Sequence, residues 1–178
     1  LGKLNQGFQV EPKVSLRQFQ VQREVIQDFF SKKIKLQHIE ALLLKPEKIS
    51  PPEISSLNFY NEMLTLTESS NPNNNQVNSV KKSVGNKNIF LVQGPPGTGK
   101  TTVIAEIVKQ LSDRGEKLLV TSQTHIAVDN VLEKLAEDTQ LSILRLGNIQ
   151  RVKSDLRRFH KDKLEEFYQN YYDDMIKI

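Results

Sequence analysis

The stretch G-P-P-G-T-G-K-T at residues 94–101 decides the fold class of this chain. It matches the phosphate-binding pattern G-x-x-x-x-G-K-[ST] at every fixed position. The apolar run I-F-L-V at residues 89–92 precedes it and is typical of a buried parallel strand. Apolar residues at helical spacing follow it, namely Ile104, Ile107, Val108 and Leu111. A strand, a glycine loop and a helix in this order predict a site for a nucleoside triphosphate. A Gly/Pro-rich turn that only links two elements is disfavoured, because both flanking elements are correct.

The residue types in this loop fit the chemistry of a triphosphate. Gly94, Gly97 and Gly99 permit a tight curve and a close approach of phosphate to the backbone. Loop N–H groups and the positive end of the following helix would point at the phosphates. We expect Lys100 to reach the β- and γ-phosphates and the Thr101 hydroxyl to ligate Mg²⁺, so these two are the predicted catalytic residues. The predicted ATP contacts from this stretch are Gly94, Pro95, Pro96, Gly97, Thr98, Gly99, Lys100, Thr101 and Thr102.

Composition sets broad limits on the class of protein. The chain has 178 residues, enough for one domain and part of another. It has no cysteine, which excludes a disulfide scaffold, a cysteine nucleophile and a thiolate metal site. A net charge of +4 permits a polyanionic partner without requiring one. There is no bilayer-length apolar run and no secretory signal, so we expect an intracellular protein without a membrane partner. Because the chain begins at Leu1 rather than at methionine, we expect a fragment of a longer protein.

The first part of the chain predicts helices followed by a polar break. A capping-box pattern at Ser15 and Gln18 opens a predicted helix from Leu16 to about Lys33. Shorter helical stretches are predicted at 37–44 and 53–66. The run S-S-N-P-N-N-N at 69–75 predicts either a linker between domains or a surface loop inside one domain. Taking it as a linker gives a helical accessory segment at 1–70 and a second domain at 71–178.

The second part alternates helices with strands. Val77, Val80 and Val84 mark a short helix, and a later helix is predicted at 126–137. Strands are predicted at 89–92, 117–121 and 141–144, and their alternation with helices predicts an α/β fold with a parallel sheet. Ligands of such sheets bind at the carboxyl ends of strands, where the glycine loop and residues 122–125 both fall. From Ser154 onward the chain predicts one long charged helix.

A second motif narrows the family. The run T-S-Q-T-H-I-A-V-D-N-V-L at 121–132 resembles motif Ia of superfamily 1B helicases of the up-frameshift type. In that family motif Ia contacts the sugar-phosphate backbone of a single strand. Small hydroxyl and amide groups at a helix start can bind phosphate oxygens without reading bases. The resemblance assigns Thr121, Ser122, Gln123 and Thr124 to nucleic-acid contact. Ser122 or Thr124 could instead cap the next helix, and both roles can hold together.

Other segments resemble the same family. The run N-Q-V-N-S-V at 75–80 is similar to its Q motif, in which Gln76 would read the adenine edge because an amide both donates and accepts. The run R-L-G at 145–147 resembles a stretch that follows motif Ia, and residues 16–57 resemble the stalk helices. The resemblance implies a helical stalk-like segment followed by the front of a RecA-like P-loop domain. It also implies ATP and Mg²⁺ as cofactors, single-stranded RNA or DNA as partner, and movement 5′ to 3′.

Departures from the family pattern keep alternatives open. The family's Asp-Glu motif, which holds Mg²⁺, has no counterpart, because Asp173 and Asp174 follow no buried strand. The second motor domain and its arginine finger also have no counterpart, so we expect this piece alone to hydrolyse ATP at background rate. The alternatives are an AAA-type remodelling ATPase and a non-catalytic nucleotide-binding module. The three histidines, His38, His125 and His160, predict no metal site. His125 could line the path of the nucleic acid, although a solvated histidine at a helix start is favoured.

Overall fold

A computed structural model describes residues 16–31, 33, 52, 56–87 and 89–176. The chain divides into two compact units, Leu1–Ile49 and Ser50–Ile178. In the first unit, helix α1 spans Leu16–Phe30, close to the predicted span. The rings of Phe29 and Phe30 meet edge to face at its end, with centroids 5.5 Å apart. Ser15 and the helix predicted at 37–44 lie outside the described residues.

The second unit contains five α-helices in its described part. They are α2 (Glu62–Ser70), α3 (Asn75–Val84), α4 (Lys100–Asp113), α5 (His125–Leu135) and α6 (Lys161–Ile176). Two 3₁₀-helices, Ile149–Arg151 and Ser154–Phe159, lie between α5 and α6. Polar side chains begin three of the helices: Asn61, Asn74 and Thr124 accept hydrogen bonds from N–H groups of the first turns of α2, α3 and α5. Residues 53–55 of the helix predicted at 53–66 lie outside the described residues, residues 56–61 are not helical, and the Asn61 cap explains why α2 begins at Glu62.

Helix α4 packs against both α3 and α5, and the core lies along these contacts. One buried cluster consists of Leu64, Val80, Val84 and Val103. A second consists of Ala105, Val131 and Leu135, and a third of Leu132, Val152 and Leu156. The first cluster joins α2 to the helix that follows the glycine loop. Residues 71–74 are a turn between two helices of the same compact unit. A functional division at residue 70 stays a prediction.

The predicted parallel sheet is not confirmed. Residues 89–92, 117–121 and 141–144 form no strand among the described residues, and the isolated bridge described is the parallel pair of Arg145 with His160. Leu91 is 87 % exposed and Leu119 is 84 % exposed. Strands of a parallel sheet are buried on both faces and paired along their edges. These segments instead carry apolar side chains that are exposed to solvent. The tertiary contacts that would define a sheet are therefore not made in the described part of the chain.

The long helix predicted from Ser154 is wrong at its start. Residues Ser154–Phe159 are a 3₁₀-helix, His160 is extended with φ −73° and ψ 142°, and α6 begins at Lys161. The cause is tertiary: the Arg145 N–H donates to the Phe159 carbonyl at 2.7 Å, and the Lys161 N–H donates to the Arg145 carbonyl at 3.2 Å. In a continuous helix the Phe159 carbonyl and the Lys161 N–H would bond within the helix, whereas here both bond to Arg145. No helix within the described ranges is both long and apolar enough to cross a membrane.

Candidate nucleotide site

The glycine loop has the backbone geometry that its sequence predicts. Gly97 and Gly99 have φ values of 79° and 78°, in the left-handed region that favours glycine. Gly99 is also the N-cap residue directly before α4, and a Cβ there would lie 2.3 Å from Nε2 of Gln76. Across the loop, the Thr98 hydroxyl donates to the Pro95 carbonyl at 2.9 Å. Glycine is thus required at position 99 by its conformation and by its neighbour.

The Lys100 side chain bonds back to the glycine loop. Its Nζ donates to the carbonyl oxygens of Gly94 and Pro95, both at 2.6 Å. The N–H groups of Gly99, Lys100 and Thr101 have no acceptor among the residues described, nor does the Thr101 hydroxyl have a partner there. Free N–H groups at a helix start form an anion site, which the helix dipole reinforces. These residues fit the phosphates of a nucleotide, and Thr101 offers an oxygen for Mg²⁺.

Gln76 also lies against the loop. It stands in the first turn of α3, is half-buried, and its Nε2 donates to the Thr98 carbonyl at 2.8 Å. The structure therefore brings Gln76 to the predicted nucleotide contacts rather than leaving it in a solvated run. Its reading of the adenine edge stays a prediction, as do the individual roles of the loop residues.

The predicted nucleic-acid residues lie immediately before α5. Thr121, Ser122, Gln123 and Thr124 are all exposed and line an open cleft of ≈ 860 Å³. The Thr124 hydroxyl accepts from the Ala127 N–H at 3.3 Å, so its capping role is confirmed. The Ser122 hydroxyl accepts from the Thr124 N–H at 3.4 Å. Contact of these four residues with a strand stays a prediction.

The sequence reasoning missed a buried carboxylate on the helix of the glycine loop. Glu106 is 2 % exposed and accepts from the backbone N–H groups of Tyr60 and Asn61, both at 3.0 Å. Gln110 donates from Nε2 to Glu106 at 2.9 Å and to the Asn58 carbonyl at 2.7 Å. These bonds tie α4 to the start of α2. The sequence offered only an acid and an amide four residues apart, away from the apolar residues that mark this helix.

A second missed group is the ion pair of Asp129 with Arg145. Arg145 Nε lies 2.9 Å from Asp129 Oδ1, and both side chains are buried. Arg145 Nη2 lies 3.3 Å from His125 Nδ1, so His125 is half-buried with one ring nitrogen engaged rather than fully solvated. No cluster of three metal-ligating side chains occurs in the described part.

The glycine loop at residues 94–101 and helix α4 directly after it form a P-loop. Together with residues 121–124 before α5, this arrangement is that of a P-loop nucleoside-triphosphatase domain. Residues 71–177 match the family model AAA_11, described as an AAA domain. The chain therefore belongs to this family, which is the P-loop domain type of superfamily 1 helicases. The family predicted from motif Ia is confirmed.

Similar proteins carry names consistent with this family. The chain is 34 % identical over 155 residues to an uncharacterized ATP-dependent helicase, MJ0104, of Methanocaldococcus jannaschii, covering 86 % of the chain and 22 % of that protein. It is 45 % identical over 94 residues to the DNA replication ATP-dependent helicase/nuclease DNA2 of Saccharomyces cerevisiae, covering 53 % of the chain and 6 % of the relative. It is 37 % identical over 122 residues to the DNA-binding protein SMUBP-2 of Mus musculus, covering 68 % and 11 %. The chain thus spans only a small part of these relatives.

Proposed function

We propose that the chain is the ATP-binding part of an ATP-dependent helicase that moves along single strands, 5′ to 3′ as the family resemblance implies. The observation that carries the proposal is the loop at residues 94–101, where Lys100 and three free N–H groups meet at the start of α4. The names of MJ0104 and DNA2, both ATP-dependent helicases, support it over a remodelling ATPase.

ATP would be held by Gln76 and by the loop and helix residues 94–102. The Lys100 ammonium would exchange the Gly94 and Pro95 carbonyls for phosphate oxygens, which carry more negative charge. Mg²⁺, when bound, neutralises charge on the β- and γ-phosphates, and the Thr101 hydroxyl would hold it. This chain's own part is to position the triphosphate and to supply positive charge.

The single strand would contact Thr121, Ser122, Gln123 and Thr124. These side chains are uncharged and exposed, which suits contact with a phosphate backbone without reading of bases. Two relatives are named for DNA, and this favours DNA over RNA as the strand. We also infer that residues 89–92, 117–121 and 141–144 pair as parallel strands of a RecA-like sheet, that residues 1–70 serve as a stalk-like accessory segment, and that the protein acts inside the cell.

The test uses Lys100→Ala in the full-length protein, with the exposed Lys117→Ala as the matched control. Two charge-assisted hydrogen bonds are lost, so ATP affinity should fall by roughly 100-fold or more. Nucleotide titration measures this loss, and phosphate release with and without single strands measures turnover. Wild-type affinity in Lys100→Ala would overturn the site. Tight ATP binding without strand-stimulated turnover would favour the non-catalytic module.

A further inference from the structure

The ion pair of Asp129 and Arg145 is the most completely buried charge contact in the described part of the second unit. Asp129 on α5 is 1 % exposed and Arg145 is 7 % exposed. Besides Arg145, Asp129 accepts the backbone N–H of Lys153 at its other oxygen, at 3.1 Å. Transferring two charged groups from water into the protein interior has a free-energy cost, and this cost offsets much of their mutual attraction. The role of this pair therefore lies in the geometry that it imposes.

Each of the three nitrogen atoms of the Arg145 guanidinium has one partner. Nε bonds Asp129, Nη1 donates to the Leu146 carbonyl, and Nη2 meets His125 Nδ1 at 3.3 Å. A guanidinium has no acceptor atom, so Nδ1 must accept this bond. The proton of the neutral His125 ring then stands on Nε2. Because Arg145 is buried and its charge is compensated by Asp129, it is not itself placed to bind a phosphate.

His125 is the first residue of α5 and directly follows the four predicted strand contacts. Its side chain is half-buried, and its Nε2 has no hydrogen-bond partner among the residues that the structure describes. The ring lines the same open cleft as residues 121–124. The ring therefore stands beside residues 121–124 at the positive end of a helix, with an N–H donor that has no partner among the described residues.

Two further features lie beside the ring. Gly147 has φ 124°, and a Cβ there would lie 3.5 Å from both Arg145 Nη1 and His125 Cε1. The backbone at Gly147 thus lies close against the ring and the guanidinium. The buried His160 accepts the Asp162 N–H on Nδ1 at 3.2 Å, so its Nε2–H donates to the Gly147 carbonyl at 2.8 Å. The segment that follows residue 145 is thereby anchored to α6.

We infer that Arg145, held by Asp129, is a positioning residue that sets the tautomer of His125 so that Nε2–H donates to a phosphate oxygen of the bound strand. This inference rests on the proposed function, because it adds a donor to the surface of residues 121–124. Because a neutral imidazole carries no charge, this contact raises the affinity for the strand without releasing further counterions from the nucleic acid.

The tautomer is tested by long-range proton–nitrogen NMR on protein labelled with ¹⁵N-histidine. The sequence has three histidines, and the His125→Asn variant identifies the signal of interest. Wild type should show the Nε2–H tautomer. The double variant Asp129→Leu/Arg145→Met removes both charges together, so no uncompensated buried charge opposes folding. It should lose the tautomer preference at His125 while His160 keeps its own. A wild-type ring protonated on Nδ1 alone would overturn the inference.

Strand binding by full-length variants tests the consequence. His125→Gln retains a donor near the position of Nε2, whereas His125→Asn retains only a group near Nδ1. His125→Asn should lose roughly 10-fold in strand affinity, the range for one hydrogen bond to a charged acceptor, and His125→Gln should recover most of it. The double variant should match His125→Asn, and all should keep wild-type ATP affinity.

A comparison with Ser122→Ala/Thr124→Ala separates the two proposals. If His125→Asn binds strands like wild type while Ser122→Ala/Thr124→Ala binds them weakly, the role of His125 is overturned and the proposed function stands. If the wild-type protein binds no single strand, both are overturned.

Discussion

Replacing Glu106 should destabilise the second unit measurably, because this buried carboxylate joins the P-loop helix to the start of α2. Glu106→Ala leaves the Tyr60 and Asn61 N–H groups without their acceptor. Each unsatisfied donor costs about 1–3 kcal/mol, and relief of the buried charge offsets part of the sum. We expect a loss of about 3 kcal/mol in the free energy of unfolding. For a chain of 178 residues this lowers Tm by about 6–12 °C.

Two comparison variants sharpen this prediction. Glu106→Gln keeps one carbonyl oxygen as acceptor but turns an amide group toward the second donor, so we expect about half the loss. Glu137→Gln changes an exposed glutamate on the same unit and should stay within about 0.5 kcal/mol of wild type. Denaturant unfolding followed by circular dichroism gives the free energies. Amide hydrogen exchange at Tyr60 and Asn61 should accelerate in Glu106→Ala.

The reasoning is refuted if Glu106→Ala is as stable as Glu137→Gln. It is also refuted if the exchange rates at Tyr60 and Asn61 do not change while stability falls, because the loss would then come from packing rather than from the two hydrogen bonds. In that case the anchor between α2 and α4 would rest on the apolar cluster around Leu64 and Val103.

Two further predictions concern the sites. Thr124→Ala removes the hydroxyl that caps α5 and should cost about 1 kcal/mol of stability, whereas Thr124→Ser should restore it; equal unfolding midpoints for both variants would contradict the cap. Gln76→Ala should weaken ATP by about 1–3 kcal/mol and weaken a pyrimidine triphosphate less, since amide readout of adenine has that magnitude. Titration of both nucleotides decides the second prediction, and equal losses would limit Gln76 to its contact with Thr98.

The glycine loop could be predicted from sequence because its geometry is set within a few residues. Positive φ at Gly97 and Gly99 is a property of residue type, and the start of α4 follows directly from it. The caps at Asn74 and Thr124 are local in the same sense, since each bonds an N–H two or three residues away. Periodicity over ten or more residues placed α3, α4 and α5 for the same reason.

The tertiary structure decided what depends on distant partners. Glu106 meets Tyr60 across 46 residues and Arg145 meets Asp129 across 16, separations that no periodic pattern encodes. The end of the 3₁₀-helix at His160 likewise follows from bonds to Arg145, although the local sequence favours a continuous helix. The predicted sheet also depends on distant partners, because a strand exists only when another segment pairs with its edge, and no such pairing forms at 89–92, 117–121 or 141–144. By itself the sequence therefore determined the phosphate loop and its helix, whereas only long-range contacts decided how that helix is anchored and how His125 is held.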